Sequence, residues 1–210
     1  MTLALSTLQN LSITGEVLIA DNGSTDKSVM LAEAAGARVI IIPEKGYGAA
    51  LRGGINAAKG EFTIMADCDL SYDFGQTNIT NFLRELQNGS DFVMGNRFKG
   101  GIEKQAMPFL HRLATPCMTL VLNVLYKTAI GDVHCGMRGF NTQKMRALPF
   151  ISTGMEFASE MIIRAKRANL IITEIPTPLA LDGRGHAPHM RSFRDGWRHV
   201  CIWAKLFIKS

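Results

Sequence analysis

The chain has 210 residues, 47% apolar and 20% charged, enough for one globular domain with a sizeable core. Its net charge of +5 and pI near 9.2 are mild; the surplus gathers around Arg184, Arg191, Arg194 and Arg198, which suits an anionic partner such as a phosphate or a membrane surface. Few aromatics and a prominent acidic cluster exclude a nucleic-acid partner, and no apolar run reaches the ~20 residues that span a bilayer. The cysteines at 68, 117, 135 and 201 show no CxxC spacing, so they read as reduced thiols rather than a disulfide framework or zinc site. With no basic n-region in "MTLALSTLQNLSITGE", the expected location is cytoplasmic.

In chain order, "EVLIA" (16–20) reads as a short strand. In "DNGSTD", Asn-Gly makes a turn, Ser24 or Thr25 caps a helix running to about Ala35, and Gly36 is its C′ residue. "RVIII" (38–42) is a second, buried strand ended by Pro43. A helix over 49–59, closed by Gly60, precedes the third strand, "FTIMA" (62–66). "QTNITNFLRELQ" is the next helix and "DFVMG" (91–95) the fourth strand. This alternation predicts an α/β fold with a mostly parallel sheet covered on both faces. Beyond it, residues 107–130 read as an amphipathic helix that Pro116 should break or kink, and 131–140 as a polar, Gly-rich loop. Residues 154–169 form a helix with Glu156 and Glu160 on one face, 170–176 a strand stopped by proline, and about 184–210 a basic, Trp-bearing amphipathic tail.

Ligands of open α/β sheets bind beyond the carboxyl ends of strands. Three strands here finish in polar residues: Asp21-Asn22, Asp67-Cys68-Asp69 and Asn96-Arg97. Asp67, Asp69 and Asp73 repel one another unless water or a cation relieves them. Asp67 and Asp69, two apart, point the same way in an extended segment and suit Mg²⁺ or Mn²⁺, while Cys68 faces the other side and packs. "GYGAALRGG" (46–54) lacks the Lys-Ser/Thr of a P-loop, and Leu51 occupies the last Gly position of a dinucleotide fingerprint. Two readings stay open for it: a helix N-terminus that sets Gly48 and Arg52 beside a diphosphate, or glycines needed for turning and packing.

The stretches "IADNGSTDKS", "GYGAALRGGINAAKGEFTIMADCDLSYDF", "MGNRFKGG", "GDVHCGMRGF", "GMEFASEMIIRA" and "EIPTPLALDGRG" together resemble a family 2 glycosyltransferase of the GT-A fold, in its polyprenyl-phosphate (dolichyl-phosphate mannose synthase-like) branch. The resemblance covers nearly the whole chain as one Rossmann-like domain (1–210). It implies a nucleoside-diphosphate sugar donor, a polyprenyl phosphate acceptor and a bound Mg²⁺ or Mn²⁺. Asp21 then contacts the nucleoside, with Asn22 where a second Asp is usual. Asp67 and Asp69 form the DxD motif, Asp69 as direct metal ligand and Asp67 also near the ribose. Arg97 stands at an arginine near phosphate, Asp132 and Arg138 match a "D…G-x-R" motif before the acceptor region, and Glu160 matches a glutamate behind the sugar site. Ser71 replaces a glutamine that close relatives of the mannose synthase use as an extra ligand. Relatives begin with a strand that precedes the first helix here, so the sheet is expected to lack its first N-terminal strand.

A polyprenyl monophosphate is already an anion, its second pKa near ~6, so attack on the anomeric carbon with inversion needs no strong base. Arg97 and Arg138, with Arg184, His189 or Arg191, are the expected acceptor-phosphate cations. The four tail arginines otherwise form a solvated or membrane-facing surface. His111 and Arg112 are acceptor contacts or a helix surface; His134 is a loop hydrogen-bonder or lines the sugar pocket. Residues 107–126 and 193–208 are interfacial helices anchored by Phe109, Trp197 and Trp203, or ordinary core helices. The first gives a protein peripheral to the cytoplasmic face of a membrane. A hydroxyl acceptor would instead require a carboxylate base, with Glu160 the obvious candidate, and a non-catalytic nucleotide-binding module is the third reading.

Overall fold

The computed structural model describes residues 1–183 and 192–208. Helix α1 (Thr2–Asn10) is followed by β1 (Leu18–Asp21), α2 (Ser28–Ala34), β2 (Arg38–Ile41), α3 (Tyr47–Ala57) and β3 (Phe62–Met65). Then come α4 (Gln76–Gln87), β4 (Phe92–Asn96), α5 (Arg97–Gly100) and α6 (Phe109–Tyr126). The chain continues through β5 (Arg138–Asn141), α7 (Thr142–Arg146), α8 (Phe157–Arg167), β6 (Ile172–Pro176) and α9 (Ser192–Ile208).

Among the described residues the strands form two sheets. β1 and β2 pair in parallel, Leu18 opposite Arg38 through Asp21 opposite Ile41. The larger sheet has the order β3-β5-β4-β6. β3, β4 and β6 run one way, and β5 enters antiparallel between β3 and β4. The expected parallel order is therefore interrupted once. β5 lies in a stretch read as loop, because "RGFN" is only four residues long with Gly139 at its centre. It pairs on both edges, and Phe140 is buried edge-on against Phe92.

Side-chain alternation on β4 sorts the core into two layers. Phe92 and Met94 face a cluster with Leu122 and Tyr126 of α6, Phe157, Met161 and Ile162 of α8, and Ile202, Trp203 and Leu206 of α9. Val93 faces the opposite cluster, built from Ile79, Phe82 and Leu86 of α4 with Met137 and Ile175. A Cβ on Gly139 would stand 3.0 Å from the Phe82 ring, so the glycine lets α4 lie close on β5. β4 is fully buried, whereas β1 and β3 are only half-buried and β2 ends in the exposed Ile41, against the expectation of a buried second strand.

Local departures have local causes. α2 starts at Ser28 because Ser24 turns back toward Asp21, while Asp26 accepts the Ser28 N–H at 2.9 Å. It closes as expected on Gly36, at φ +90°, where the N–H groups of Gly36 and Ala37 return to the carbonyls of Glu33 and Ala32. α3 ends at Ala57, before Gly60, when Ala58 becomes extended. α6 runs unbroken through Pro116. Pro116 and Arg112 both lie on the exposed side, so water can satisfy the Arg112 carbonyl that the proline leaves without a helix partner. No helix among the described residues is long and apolar enough to cross a membrane.

Candidate active site

β3 ends at Met65, and the next turn carries the two aspartates. Asp69 Oδ1 accepts the Ser71 N–H at 3.1 Å and the Ser71 hydroxyl at 2.5 Å, which requires Leu70 to adopt φ +68°. A leucine in that region costs on the order of 1 kcal/mol, so the turn is held by its neighbours. The strap after β6 supplies them: Ala180 N–H donates to the Ser71 carbonyl (3.0 Å) and Gly183 N–H to the Asp69 carbonyl (2.7 Å). Asp67 lies against the loop that follows α6, its Oδ2 2.8 Å from where a Gly136 Cβ would stand, and its charge, after burial, pushes up the Tyr47 phenol at the start of α3. Cys68 is exposed, not packed as its alternation with the aspartates suggested.

Gly136 belongs to the loop joining α6 to β5, and this loop gathers the other strand ends. Its N–H donates to the Tyr72 hydroxyl at 2.8 Å. Asp132, fully buried, accepts from Arg97 Nε (2.7 Å), Arg97 Nη2 (2.8 Å), the Arg97 N–H (3.1 Å) and the His134 N–H (3.3 Å). Glu174 on β6 holds the same loop, its Oε1 accepting from Gly131 and Asp132 N–H and its Oε2 from Asn96 and Lys99. Arg138 lies beneath it, 1% exposed. Its guanidinium donates to the carbonyls of Cys135, Val133 and Ala158 at 2.6–2.9 Å and sits over the Phe92 ring. The expectation that Arg138 meets an acceptor phosphate is corrected: the polar contacts described for it go to loop carbonyls at 133 and 135 and to the Ala158 carbonyl and Met161 sulfur of α8.

On the β1 side, Asp21 accepts from the N–H groups of Gly23 (2.9 Å) and Ser24 (3.2 Å), and the Ser24 side chain, then Gly23, hold its carboxyl below the ordinary value. Asn22 staples two loops. Its amide donates to the carbonyls of Ile42 (3.0 Å) and Glu44 (2.7 Å), and its oxygen accepts the Gly46 N–H (2.7 Å). An aspartate could make only the last of these. A Cβ on Gly48 would come within 2.7 Å of Phe157 Cβ, which supports the packing reading of this glycine. Arg52 pairs with Glu44 at 2.5 Å near the surface.

Glu160 is also corrected. Buried completely, it accepts from the N–H groups of Ile151 (3.1 Å) and Ser152 (2.8 Å) and from Arg164 (3.1 Å), so it clamps the loop before α8 rather than facing a substrate. Glu156, at the N-terminus of α8, takes Gly154 N–H and Arg198 of α9, whose side chain remains partly exposed. His134 and His199 stack edge to face, centroids 4.9 Å apart, with His199 Nδ1 and Ser159 Oγ sharing a 2.7 Å hydrogen bond. Of the two readings left open for these helices, anchor or core, Trp203 takes the second at 4% exposed, whereas Phe109 (82%) and Trp197 (68%) are exposed. Arg184, His189 and Arg191 lie outside the described residues.

The structure thus joins Asp67, Asp132 and Arg97 through one loop, and Asn22 to the start of α3 through Gly46. Sequence reasoning missed Tyr47, Tyr72, Glu174 and His199. Glu174 had a signal, a lone charge inside the strand "ITEIP". Tyr47 and Tyr72 had none beyond their place in the motif stretches. Asp67 and Asp69 offer an all-oxygen donor set that fits Mg²⁺ or Mn²⁺. Among the described residues no group of three or more acidic, His or Cys side chains is placed to hold a metal.

Replacing Asn22 with Asp is expected to cost about 1–2 kcal/mol, because two carbonyls then face a carboxylate. The melting midpoint should fall by roughly 3–6 °C; an unchanged midpoint would show that the staple carries no stability. His134 is pushed well below the usual histidine value, chiefly by burial and then by His199, Arg97, Arg138 and His111. The folded state therefore binds fewer protons here than the unfolded chain, and stability present above the ordinary histidine pKa is lost as the pH falls below it. Midpoints measured from about pH 7.5 to about pH 5 should drop less steeply for His134→Gln than for the native chain.

The model of the family described as Glycosyl transferase family 2 matches residues 5–148. The low-salt glycan biosynthesis hexosyltransferase Agl6 of Haloferax volcanii is 39% identical over 195 residues, covering 92% of this chain and 46% of that protein. A dolichyl-phosphate hexose transferase of the same organism is 29% identical over 164 residues, 78% of this chain and 69% of that one. The chain thus spans about half the length of the first of these relatives. Glucosyl-3-phosphoglycerate synthase of Mycobacterium tuberculosis, solved with Mn²⁺, uridine diphosphate and glucosyl-3-phosphoglycerate, superposes with a TM-score of 0.67 at 17% identity, over 95% of this chain and 72% of that one. With the strand ends and their loop arranged as described, the chain has the GT-A fold and belongs to glycosyl transferase family 2.

Proposed function

We propose that this domain transfers a hexose from a nucleoside-diphosphate sugar to a membrane polyprenyl phosphate, with inversion at the anomeric carbon. The observation that carries the reading is the convergence of Asp67, Asp132 and Arg97 on the 131–138 loop at the ends of β3 and β4. A divalent cation at Asp67 and Asp69 would neutralise the charge that develops on the departing diphosphate. The chain's own part is orientation. Asp21 and Asn22 shape the loop on the nucleoside side. The Asp132 carboxylate fixes Arg97 by a two-point bond that leaves Nη1 outside the pair, and the acceptor anion belongs beside that guanidinium.

Two observations favour a phosphate over a hydroxyl acceptor. The carboxylate suggested as a base, Glu160, is buried and already accepts from two N–H groups and Arg164. A hydroxyl nucleophile would need such a base, and a phosphate monoester does not. Second, α6 and α9 present an apolar face with Phe109, Leu113, Val124, Trp197 and Ile208 exposed. Between the two helices lies a groove of about 490 Å³ lined by Met118, Val121, Leu125, Val200 and Phe207. Such a face suits contact with a lipid surface, where the acceptor resides. The relative named a dolichyl-phosphate hexose transferase agrees with this acceptor class.

The test is transfer from a panel of nucleoside-diphosphate hexoses to polyprenyl phosphate in detergent, with and without Mn²⁺. Metal-dependent transfer is expected, reduced roughly 100-fold or more by Asp69→Ala. Full activity without divalent cation would overturn the metal assignment, and transfer confined to soluble hydroxyl acceptors would overturn the polyprenyl phosphate.

A further inference from the structure

We infer that Gly136 is a positioning residue for the cation ligand Asp67: the side chain it lacks leaves the seat in which the carboxylate oxygen Oδ2 rests. The inference rests on the reading of Asp67 and Asp69 as cation ligands and adds to it a residue of the 131–138 loop that ligates nothing itself.

A glycine is required where φ is positive or where another backbone passes too close for a Cβ. Neither holds at 136. Among the described glycines, positive φ falls at 23, 36, 46, 89 and 101, so the backbone at 136 is one that alanine adopts. The atoms nearest to a Cβ built there all belong to side chains: Asp67 Oδ2 at 2.8 Å, Tyr72 Cε2 at 3.1 Å and the Tyr72 hydroxyl oxygen at 3.3 Å. The first of these is nearer than a real Cβ tolerates, so something would have to shift. Gly48, Gly95 and Gly100 differ, because backbone atoms stand 2.9, 3.0 and 2.2 Å from their Cβ positions. Those glycines let one element pass another, whereas Gly136 faces a carboxylate.

The loop side of this contact is held on every bond. Gly136 N–H donates to the Tyr72 hydroxyl at 2.8 Å, and Tyr72 is 6% exposed. The Cys135 carbonyl before it accepts from Arg138 Nε at 2.9 Å, and the Met137 carbonyl after it accepts the Gly95 N–H of β4 at 3.0 Å. A methyl added at 136 would thus be caught between a buried ring, a pinned backbone and the end of the Asp67 side chain. The ring and the backbone belong to the close-packed interior, whereas the carboxylate can turn about its own torsions, so it is the part that gives. A ligating carboxylate turned in this way aims its lone pairs elsewhere. The two aspartates are therefore oriented by different means. Asp69 Oδ1 is fixed by the Ser71 N–H and hydroxyl, and Asp67 Oδ2 is set by the bare Cα of Gly136.

Gly136→Ala adds one methyl and keeps the backbone. Mn²⁺ alone, titrated into the nucleotide-free chain and followed by the electron paramagnetic resonance of the free ion, should bind Gly136→Ala about 10-fold or more weakly than the native chain, with the melting midpoint preserved. The Mn²⁺ concentration for half-maximal transfer should rise by the same factor. Asp69→Ala is titrated in parallel. If it binds Mn²⁺ as the native chain does, or if the native chain takes up none, the cation reading fails and the inference with it. If Asp69→Ala loses Mn²⁺ while Gly136→Ala binds within about twofold of native, the cation reading stands and the role of Gly136 is overturned. Where Gly136→Ala lowers the midpoint, the same substitution combined with Asp67→Ala decides the cause. A fall abolished once the carboxylate is gone locates the clash at Asp67, as expected. A fall that persists without the carboxylate assigns the glycine to the packing of Tyr72 and overturns the inference.

Discussion

A carboxylate without solvent contact organises this site. Asp132 carries a charge that burial would make untenable, and four N–H donors, three of them from Arg97, compensate it. Removing one partner from a buried pair leaves an uncompensated charge at a cost of about 3–5 kcal/mol, so the loop and the end of β4 cannot separate without local unfolding. Glu174 extends the arrangement to β6 by accepting the Asp132 N–H, and Lys99 and Asn96 balance it from α5 and β4. Three elements distant in sequence thereby share one fixed geometry, and Arg97 is presented in a single orientation.

The same economy of donors governs the other half of the site. Two sheets meet here with no described strand pairing between them, so something other than a ladder must hold their ends in register. Helix α3 serves here: Asn22 grips its first turn from the β1 side, and Arg146 of α7, directly after β5, donates to the carbonyls of Ile55 and Ala58 at its other end. An amide at position 22 is suited to the task because it both donates and accepts, whereas the aspartate that the resemblance implies there could only accept.

What the sequence disclosed follows from where information is local. Alternating apolar runs and turn residues placed β1, β3, β4 and α4 within a residue or two, because short-range pattern decides them. Strand-end logic located Asp67, Asp69 and Arg97 at one end of the larger sheet. β5 stayed hidden, since a four-residue strand with a central glycine owes its existence to pairing on both edges. Arg138 and Glu160 were misread for a related reason. A charged side chain in a motif reads as a substrate contact until burial is known, and both spend their hydrogen bonds on loop backbone. Glu174, buried on β6, was overlooked for want of the same knowledge.

Burial of these charges also bears on what nucleophile the site can activate. Asp132 is committed to Arg97, Glu160 to the Ile151–Ser152 turn, and Glu156 to Gly154 and Arg198. His134 faces Arg97, Arg138 and two other histidines, surroundings that disfavour the proton it would have to accept as a base. None of these four described side chains is well placed to deprotonate a sugar or glycerate hydroxyl, which accords with the proposed acceptor, an anion that needs no strong base.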